Sequence, residues 1–189
     1  WKTTPRPLFL EQMLKNGSDV NYADRNGNTL LMYASGYEPQ KYGFLPGKGN
    51  YSSDDYAKLF LRYDADVSQQ NKEGWTALDY AVQLDDDMAA MNLLLSYGAE
   101  VTPVVLSHAL DFEGAYTHYQ RIHKLVALLD SSQTSTILTP IFDAAIRGDN
   151  ATVQELATKT DLSEAERLQT LCHAVAFCNA DTVRLLLAD

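Results

Sequence analysis

Apolar and polar residues alternate along this chain with the period of short amphipathic helices, and the predicted helices come in pairs. Residues 71–101 contain one complete pair, with helices predicted over 76–84 and 87–97 and with Gly74 and Gly98 at the joints. Each helix is too short to bury its apolar face alone. The segment therefore predicts further copies of the same pair stacked beside it.

Two landmarks of this segment recur earlier in the chain. Its end, GAEV at 98–101, matches DADV at 64–67, which lies 34 residues earlier, and GSDV at 17–20, which lies 47 residues before that. Its head, GWTAL at 74–78, matches GNTLL at 27–31, again 47 residues earlier. Because both landmarks give the same spacing, we infer a repeat of about 33 residues with an insertion of about 14 residues in one copy.

The series continues with TPIFDAA at 139–145 and TLCHAVA at 170–176. This pattern resembles the ankyrin repeat: a Gly turn, Thr-Pro-Leu-His-x-Ala-Ala, Gly, Val-x-x-Leu-Leu, then Gly-Ala-Asp-Val-Asn. The resemblance covers nearly the whole chain and is specific in four copies, whereas the first and fourth repeats are degenerate. It implies an all-α solenoid of about five to six stacked helix-turn-helix repeats with short β-hairpin loops, forming a single domain over 1–189.

The other repeats follow the same pattern, and one of them is interrupted. Helices are predicted over 8–16, 29–35, 54–63, 103–110 and 116–129, and helix pairs over 139–156 and 165–189. Residues 37–53, which we call the insert, combine two Pro, three Gly, three Tyr and one Phe without helical or strand period. This composition predicts an irregular loop.

Local signals support the helix starts and ends. Thr at a helix start is expected to accept a backbone N–H bond as N-cap, and Thr76 is followed three residues later by Asp79, which resembles a capping box. Small residues such as Ala81 are expected to keep the first helix of each pair slim. Gly98 is expected to let the chain leave its helix in a left-handed conformation.

Charge narrows the class of partner. The net charge is −10, and the excess lies in residues 70–189, because residues 1–69 carry eight basic and eight acidic side chains. A nucleic acid or an anionic membrane surface is therefore not expected as a partner. The apolar runs are too short for membrane insertion. The acidic excess is explained better by a need for solubility than by a basic binding partner. We expect the chain to be a monomer that binds another protein.

The start of the chain and its cysteines leave the compartment open. The sequence begins at Trp1 without an initiator Met, which fits either a removed leader or a fragment. The cytoplasm is favoured, with a processed periplasmic or secreted form as the alternative. Cys172 and Cys178 lie six residues apart and are expected to face different ways, so neither a disulfide nor structural zinc is predicted.

Signals for catalysis, metals and cofactors are weak throughout. His118 and His123 are five residues apart, which is not the spacing that places two ligands on one helix face. The run at 85–87 is expected to favour a helix start rather than to bind calcium. Ser107 and His108 are adjacent, and no nucleophile elbow or phosphate loop is present. We predict no enzyme activity, no metal and no cofactor.

The resemblance implies non-catalytic protein recognition through the hairpin tips and the concave face of the inner helices. The residues carried over to that face by position are Arg25, Asn26, Asn28, Tyr37, Lys72, Glu73, Trp75, Gln83 and Leu84. The insert borders this face and is expected to add aromatic contacts from Tyr42, Phe44 and Tyr51.

Several alternatives stay open at this point. The insert could pack its aromatic side chains against the repeats instead of binding a partner, or hold a small molecule. Trp75 could anchor a partner or pack on its neighbours. The whole chain could be an acidic regulatory or inhibitor module that masks a basic or enzymatic partner. Such a complex would weaken steeply with added salt.

Overall fold

The described part of the chain folds into short helices. The computed structural model describes residues 6–36, 53–84, 88–110, 119–135, 137–159, 163–176 and 180–187. Within these ranges it forms twelve helices and no β-strand, which confirms the all-α prediction. The chain divides into two compact units, residues 1–100 and residues 101–189. A single domain over the whole chain stays a prediction.

The first unit contains five helices arranged in two rows. They are α1 (Arg6–Lys15), α2 (Leu30–Ala34), α3 (Ser53–Arg62), α4 (Ala77–Leu84) and α5 (Ala89–Ser96). Helix α2 packs against α3, and α4 packs against α5, so the second and third predicted repeats are helix pairs. The outer row consists of α1, α3 and α5, in which α3 contacts both others, and the inner row consists of α2 and α4, which contact each other.

Side-chain hydrogen bonds define the starts of the inner helices. The Met32 backbone N–H donates to Thr29 Oγ1 over 3.2 Å, as expected for an N-cap. In the next repeat the backbone N–H and the hydroxyl of Thr76 both donate to Asp79 Oδ2, each over 2.7 Å. The predicted pairing of Thr76 with Asp79 is therefore confirmed, and it fixes the backbone where α4 begins.

Each inner helix is preceded by a hairpin, and α5 ends in a left-handed turn. Ala23 and Thr29 form an antiparallel β-bridge across the first hairpin, and Asn71 N–H donates to the Trp75 carbonyl across the second over 2.9 Å. After α5, Gly98 has a φ of +86°, which confirms the predicted left-handed exit.

The second unit contains seven helices, six of which form three pairs. They are α6 (Pro103–Leu110), α7 (Tyr119–Leu128), α8 (Ser131–Thr134), α9 (Pro140–Arg147), α10 (Asn150–Lys159), α11 (Glu164–Ala176) and α12 (Ala180–Leu187). Helix α6 packs on α7, α9 on α10 and α11 on α12, while α9 also contacts α7 and α11. Ala144 and Ala145 of α9 are buried in a core cluster with Ile141, Val153 and Leu186. These small residues keep α9 slim, as their pattern predicts.

Two details of the second unit differ from the expectations. Thr139 stands at the N-cap of α9 but forms no side-chain capping bond. The short helix α8 was not predicted, because four residues without an apolar side chain give no periodic signal. The start of α8 is instead marked by a reciprocal cap. Asp130 N–H donates to Gln133 Oε1 over 3.0 Å, and Gln133 N–H donates to Asp130 Oδ1 over 2.9 Å.

Candidate functional site

The first hairpin, before α2, is organised by the carboxylate of Asp24. Its Oδ1 accepts the backbone N–H groups of Asn26 and Asn28 over 2.8 Å and 2.9 Å. Its Oδ2 accepts the hydroxyl of Tyr33 on α2 over 2.8 Å. One side chain thus fixes the turn and ties it to the helix that follows.

These hydrogen bonds also set the acidity of Asp24. Partial burial by itself raises the pKa of the carboxyl. The hydrogen bonds donated by the Asn28 backbone, the Tyr33 hydroxyl, the Asn28 amide and the Asn26 backbone together outweigh burial and bring the pKa below its ordinary value of 3.8. The ionised form is therefore the one that organises the hairpin.

The second hairpin, before α4, uses Asn71 at the position equivalent to Asp24, 47 residues later. Asn71 Oδ1 accepts the backbone N–H groups of Glu73 over 3.0 Å and Trp75 over 2.9 Å. Its Nδ2 donates to the Tyr80 hydroxyl over 2.8 Å and to Asn28 Oδ1 over 2.9 Å. The amide thus reproduces the turn made by the carboxylate and adds a donor that reaches the first hairpin.

The two hairpins are joined side by side. Besides the bond between Asn71 and Asn28, the Lys72 backbone N–H donates to the Asn26 carbonyl over 2.9 Å. Gly27 lies between them with a φ of +85°, and a Cβ built on it would stand 3.0 Å from Asn71 Cα. Only glycine fits here without strain, because the backbones approach closely and the conformation is left-handed.

Most predicted recognition residues in the described part of the chain lie on these two hairpins. We call residues 24–28 and 71–75 the hairpin tips. Arg25 and Asn26 are exposed on the first tip, and Lys72 and Glu73 are exposed on the second. These four side chains form a mixed-charge surface on a fixed backbone.

Three other predicted residues have different surroundings. Trp75 is half-buried, and its ring centroid lies 5.0 Å from that of Tyr80 at an interplanar angle of 44°. Gln83 is half-buried near the end of α4. Asn28 is only 2% exposed, and its amide joins the two hairpins, so it supports the tips from inside.

The insert aromatics Tyr37, Tyr42, Phe44 and Tyr51 lie outside the described residues, as do the acidic residues 85–87. Leu84 is the last residue of α4, and its side chain is outside the described part. The roles assigned to these residues stay predictions.

A second surface of the first unit was not singled out from the sequence. It is an apolar groove of about 780 Å³. The residues that line it come from α1, the loop after α1, α2 and α3: Phe9, Leu10, Met13, Leu14, Ser18, Asp19, Tyr22, Leu30, Tyr56 and Phe60. We call it the α1 groove. Asp19 is the one charged residue in this set.

Metal and membrane sites were searched in the described ranges only. Those ranges hold no group of three or more His, Cys, Asp or Glu residues that could bind a metal ion. None of the helices described there is both long and apolar enough to cross a bilayer.

Comparison with known proteins identifies the fold. No family model matches the sequence, and no curated protein matches it. Among solved structures, the chain is similar to the crystal structure of the human ASB11 ankyrin repeat domain, with a TM-score of 0.53, 20% sequence identity, and coverage of 96% of this chain and 77% of that chain. At this identity the likeness shows the fold alone. The chain therefore has an ankyrin-like, all-α fold of helix pairs, with hairpins before α2 and α4.

Proposed function

We propose that this chain is a non-catalytic protein-interaction module that binds another protein through the hairpin tips of its first unit. The observation that carries this proposal is the hydrogen-bonded joining of the two tips through Asn71, Asn28 and the Lys72 backbone. The ankyrin-like fold supports it in general terms, because such arrays serve as extended binding surfaces.

The arrangement favours binding because the backbone of each tip is already fixed. Asp24 and Asn71 hold the two turns through side-chain acceptors, so little backbone ordering is left for the moment of association. Arg25, Asn26, Lys72 and Glu73 can then contact a partner from defined positions. Their mixed charge supplies specificity rather than general electrostatic attraction.

Trp75 and Gln83 extend this proposed surface toward the inner helices. Tryptophan is common among residues that dominate binding energy, and Trp75 keeps part of its ring accessible while it packs on Tyr80. We further propose that Tyr37, Tyr42, Phe44 and Tyr51 of the insert, together with Leu84, border the same surface. Asn28 takes part through its support of the tips.

The alternative is an acidic regulatory module that masks a basic or enzymatic partner. The charge distribution separates the two proposals. The acidic excess lies in residues 70–189, whereas the tips carry Asp24 and Glu73 against Arg25 and Lys72 and have no net charge. Binding by the acidic surface would weaken steeply between low and high salt, whereas binding by the tips would change little.

The experiment begins with affinity capture and mass spectrometry, followed by purification of the identified partner. Affinity is then measured by calorimetry for wild type and for Trp75→Ala, at low and high salt. We expect about a tenfold loss of affinity for Trp75→Ala and little salt dependence. Unchanged affinity in a folded Trp75→Ala variant, or an affinity that falls steeply with added salt, would instead favour the acidic module.

A further inference from the structure

The first hairpin contains a dipeptide that is chemically reactive. Asn-Gly occurs twice in this sequence, at residues 16–17 and 26–27. In such a pair the backbone nitrogen of glycine can attack the side-chain amide carbon of asparagine, because glycine has no Cβ to block the approach and adopts many backbone conformations. Both positions are therefore candidates for spontaneous deamidation, and their surroundings differ.

Asn26 presents the side chain that this reaction needs. It is exposed at the first hairpin tip, and in the described ranges no hydrogen bond holds its side-chain amide. Its equivalent in the second hairpin, 47 residues later, is Glu73, which has no amide to lose. The first tip thus carries a reactive position that the second tip lacks.

The backbone around Asn26 is held in place by several contacts. Its N–H donates to Asp24 Oδ1 over 2.8 Å, and its carbonyl accepts the Lys72 N–H over 2.9 Å. The attacking nitrogen, that of Gly27, donates its own N–H to the Asp24 carbonyl over 3.0 Å. Gly27 also lies against the second hairpin, since a Cβ built on it would stand 3.0 Å from Asn71 Cα. The attack therefore requires the hairpin to open first.

The same dipeptide at the end of α1 is not restrained by a second hairpin. Gly17 has a similar φ of +88°, and its N–H donates to the Leu14 carbonyl over 3.0 Å. A Cβ built on Gly17 would meet nothing within 4 Å. Asn16 is exposed, and its amide oxygen accepts a hydrogen bond from the Gln12 side chain over 3.1 Å. Asn16 is therefore an internal reference for the same reaction without a neighbouring hairpin.

We propose that Asn26 is a site of spontaneous deamidation, and that its rate is controlled by the bonds from Asn71 to Asn28 and from Lys72 to Asn26, which we call the hairpin link. The molecule that reacts is the one whose hairpin is open. The observed rate is then the rate in an open chain multiplied by the fraction of open hairpins. The inference does not rest on the proposed function, because the reaction needs no partner.

The reaction balances with water as the only co-reactant. Gly27 loses its N–H proton to solvent base, its nitrogen bonds to Asn26 Cγ, and the Cγ–Nδ2 bond breaks. The leaving group takes a proton from solvent and departs as ammonia, which leaves a cyclic imide. Water then opens the imide at one of its two carbonyls and gives aspartate or isoaspartate. Because the first step removes a proton, the rate is expected to rise with pH.

The two products differ in their effect on the hairpin. Aspartate keeps the original main chain. In isoaspartate the chain reaches Gly27 through one additional carbon, so the turn bond to the Asp24 carbonyl and the close contact with Asn71 cannot both be kept. Isoaspartate is therefore expected to hold the hairpin open, whereas aspartate is not.

The test follows both Asn-Gly pairs in one molecule. The full chain is incubated in buffer, and peptide mapping by mass spectrometry measures the loss of the amides of Asn16 and Asn26 over time. The variant is Asn71→Asp, which keeps the acceptor for the two backbone N–H groups of its own turn but removes the donor to Asn28. The control is Leu59→Ala, which destabilises the outer helix α3, where Leu59 is 6% exposed.

In wild type, Asn16 is expected to react about fivefold faster than Asn26, because no second hairpin covers it. Asn71→Asp is expected to raise the rate at Asn26 about tenfold and to leave the rate at Asn16 unchanged. Leu59→Ala is expected to change neither rate. The comparison of the two sites in wild type needs no variant, so it tests the control by the hairpin link even if Asn71→Asp does not fold.

Three outcomes would overturn the proposal. If Asn26 keeps its amide in folded Asn71→Asp, it is not a deamidation site. If Asn26 reacts as fast as Asn16 in wild type, the hairpin link does not control the rate. If Leu59→Ala accelerates the reaction at Asn26 as much as Asn71→Asp does, the controlling step is unfolding of the whole unit.

A second measurement tests the effect of the product. The isoaspartate form is separated by ion-exchange chromatography and compared with Asn26→Asp, which has the same charge on an ordinary main chain. Hydrogen exchange of the Gly27 N–H is expected to be about tenfold faster in the isoaspartate form, because the turn bond is lost. Equal exchange in the two proteins would show that isoaspartate does not open the hairpin.

Discussion

The two hairpins of the first unit have the same turn but different central residues. Asp24 and Asn71 each accept two backbone N–H groups and each bond to the tyrosine nine residues later. Only Asn71 has a donor left to reach its neighbour, through the bond to Asn28. The comparison teaches that an amide nitrogen in place of a carboxylate oxygen adds a side-chain bond to the preceding repeat, beside the backbone bond from Lys72 to Asn26.

The largest effect is expected for Asn71→Ala. This change removes the acceptor for two backbone N–H groups and the donor to both Asn28 and Tyr80, at a position that is 7% exposed. The free energy of unfolding is expected to fall by about 3 kcal/mol, because buried polar groups lose their partners. Urea denaturation measures it. A loss below about 1 kcal/mol would show that the link between hairpins contributes little.

A matched pair of glycine variants isolates the close contact between the hairpins. Gly27 and Gly74 have nearly equal φ values of +85° and +82°, but a Cβ at Gly27 would meet Asn71 Cα at 3.0 Å, whereas a Cβ at Gly74 would meet nothing within 4 Å. Gly74→Ala is expected to lower the free energy of unfolding by about 1 kcal/mol from backbone strain alone. Gly27→Ala should lower it by about 2 kcal/mol or more, because the steric clash is added.

Equal losses for the two glycine variants, measured in the same denaturant series, would contradict the contact seen between the hairpins.

The smallest effect is expected for Asp24→Asn, which makes the first hairpin resemble the second. At neutral pH this change should alter the free energy of unfolding by about 1 kcal/mol or less, because an amide supplies the same Oδ1 acceptor. Its main effect is on pH dependence. The pKa of Asp24 is lowered in the folded chain, so its contribution is complete above the unfolded pKa and is lost as pH falls through the folded pKa.

Wild type and Asp24→Asn are therefore expected to differ most above the ordinary carboxyl pKa and to converge as the pH falls through the lower pKa of folded Asp24. Denaturation curves at a series of pH values measure the difference in the free energy of unfolding between the two proteins. The contributions of the acidic residues that both proteins share cancel in this difference. A difference that stays constant with pH would show that ionised Asp24 does not stabilise the hairpin.

The fold was predictable because its signals are local and repeated. The spacing of 47 residues between Gly27 and Gly74 and of 34 residues between Ala65 and Ala99 gave the repeat before any contact was known. Cap residues such as Thr29 and Asp79 then placed helix starts to within a few residues. Helix α8 was missed because its stabilisation is a side-chain cap rather than an apolar face.

The candidate site was predictable only in part. The position of a residue in the repeat identified the exposed tips, but it did not show that Asn28 is buried, because its bond to Asn71 spans 43 residues of sequence. The α1 groove was missed for a related reason. The apolar pattern of α1 looks complete by itself, and the exposure of Phe9 and Met13 becomes visible only when they are compared with Tyr56 and Phe60 in three dimensions.

The central claim, that the two hairpin tips together bind the partner, is tested most directly by one pair of charge reversals. The partner is first identified by affinity capture, and its affinity is measured by calorimetry for Arg25→Glu/Lys72→Glu. The matched control is Lys58→Glu/Arg62→Glu, on α3, where both side chains are also exposed. We expect at least a tenfold loss for the tip variant and no change for the control. Equal affinities for the two variants would contradict the account.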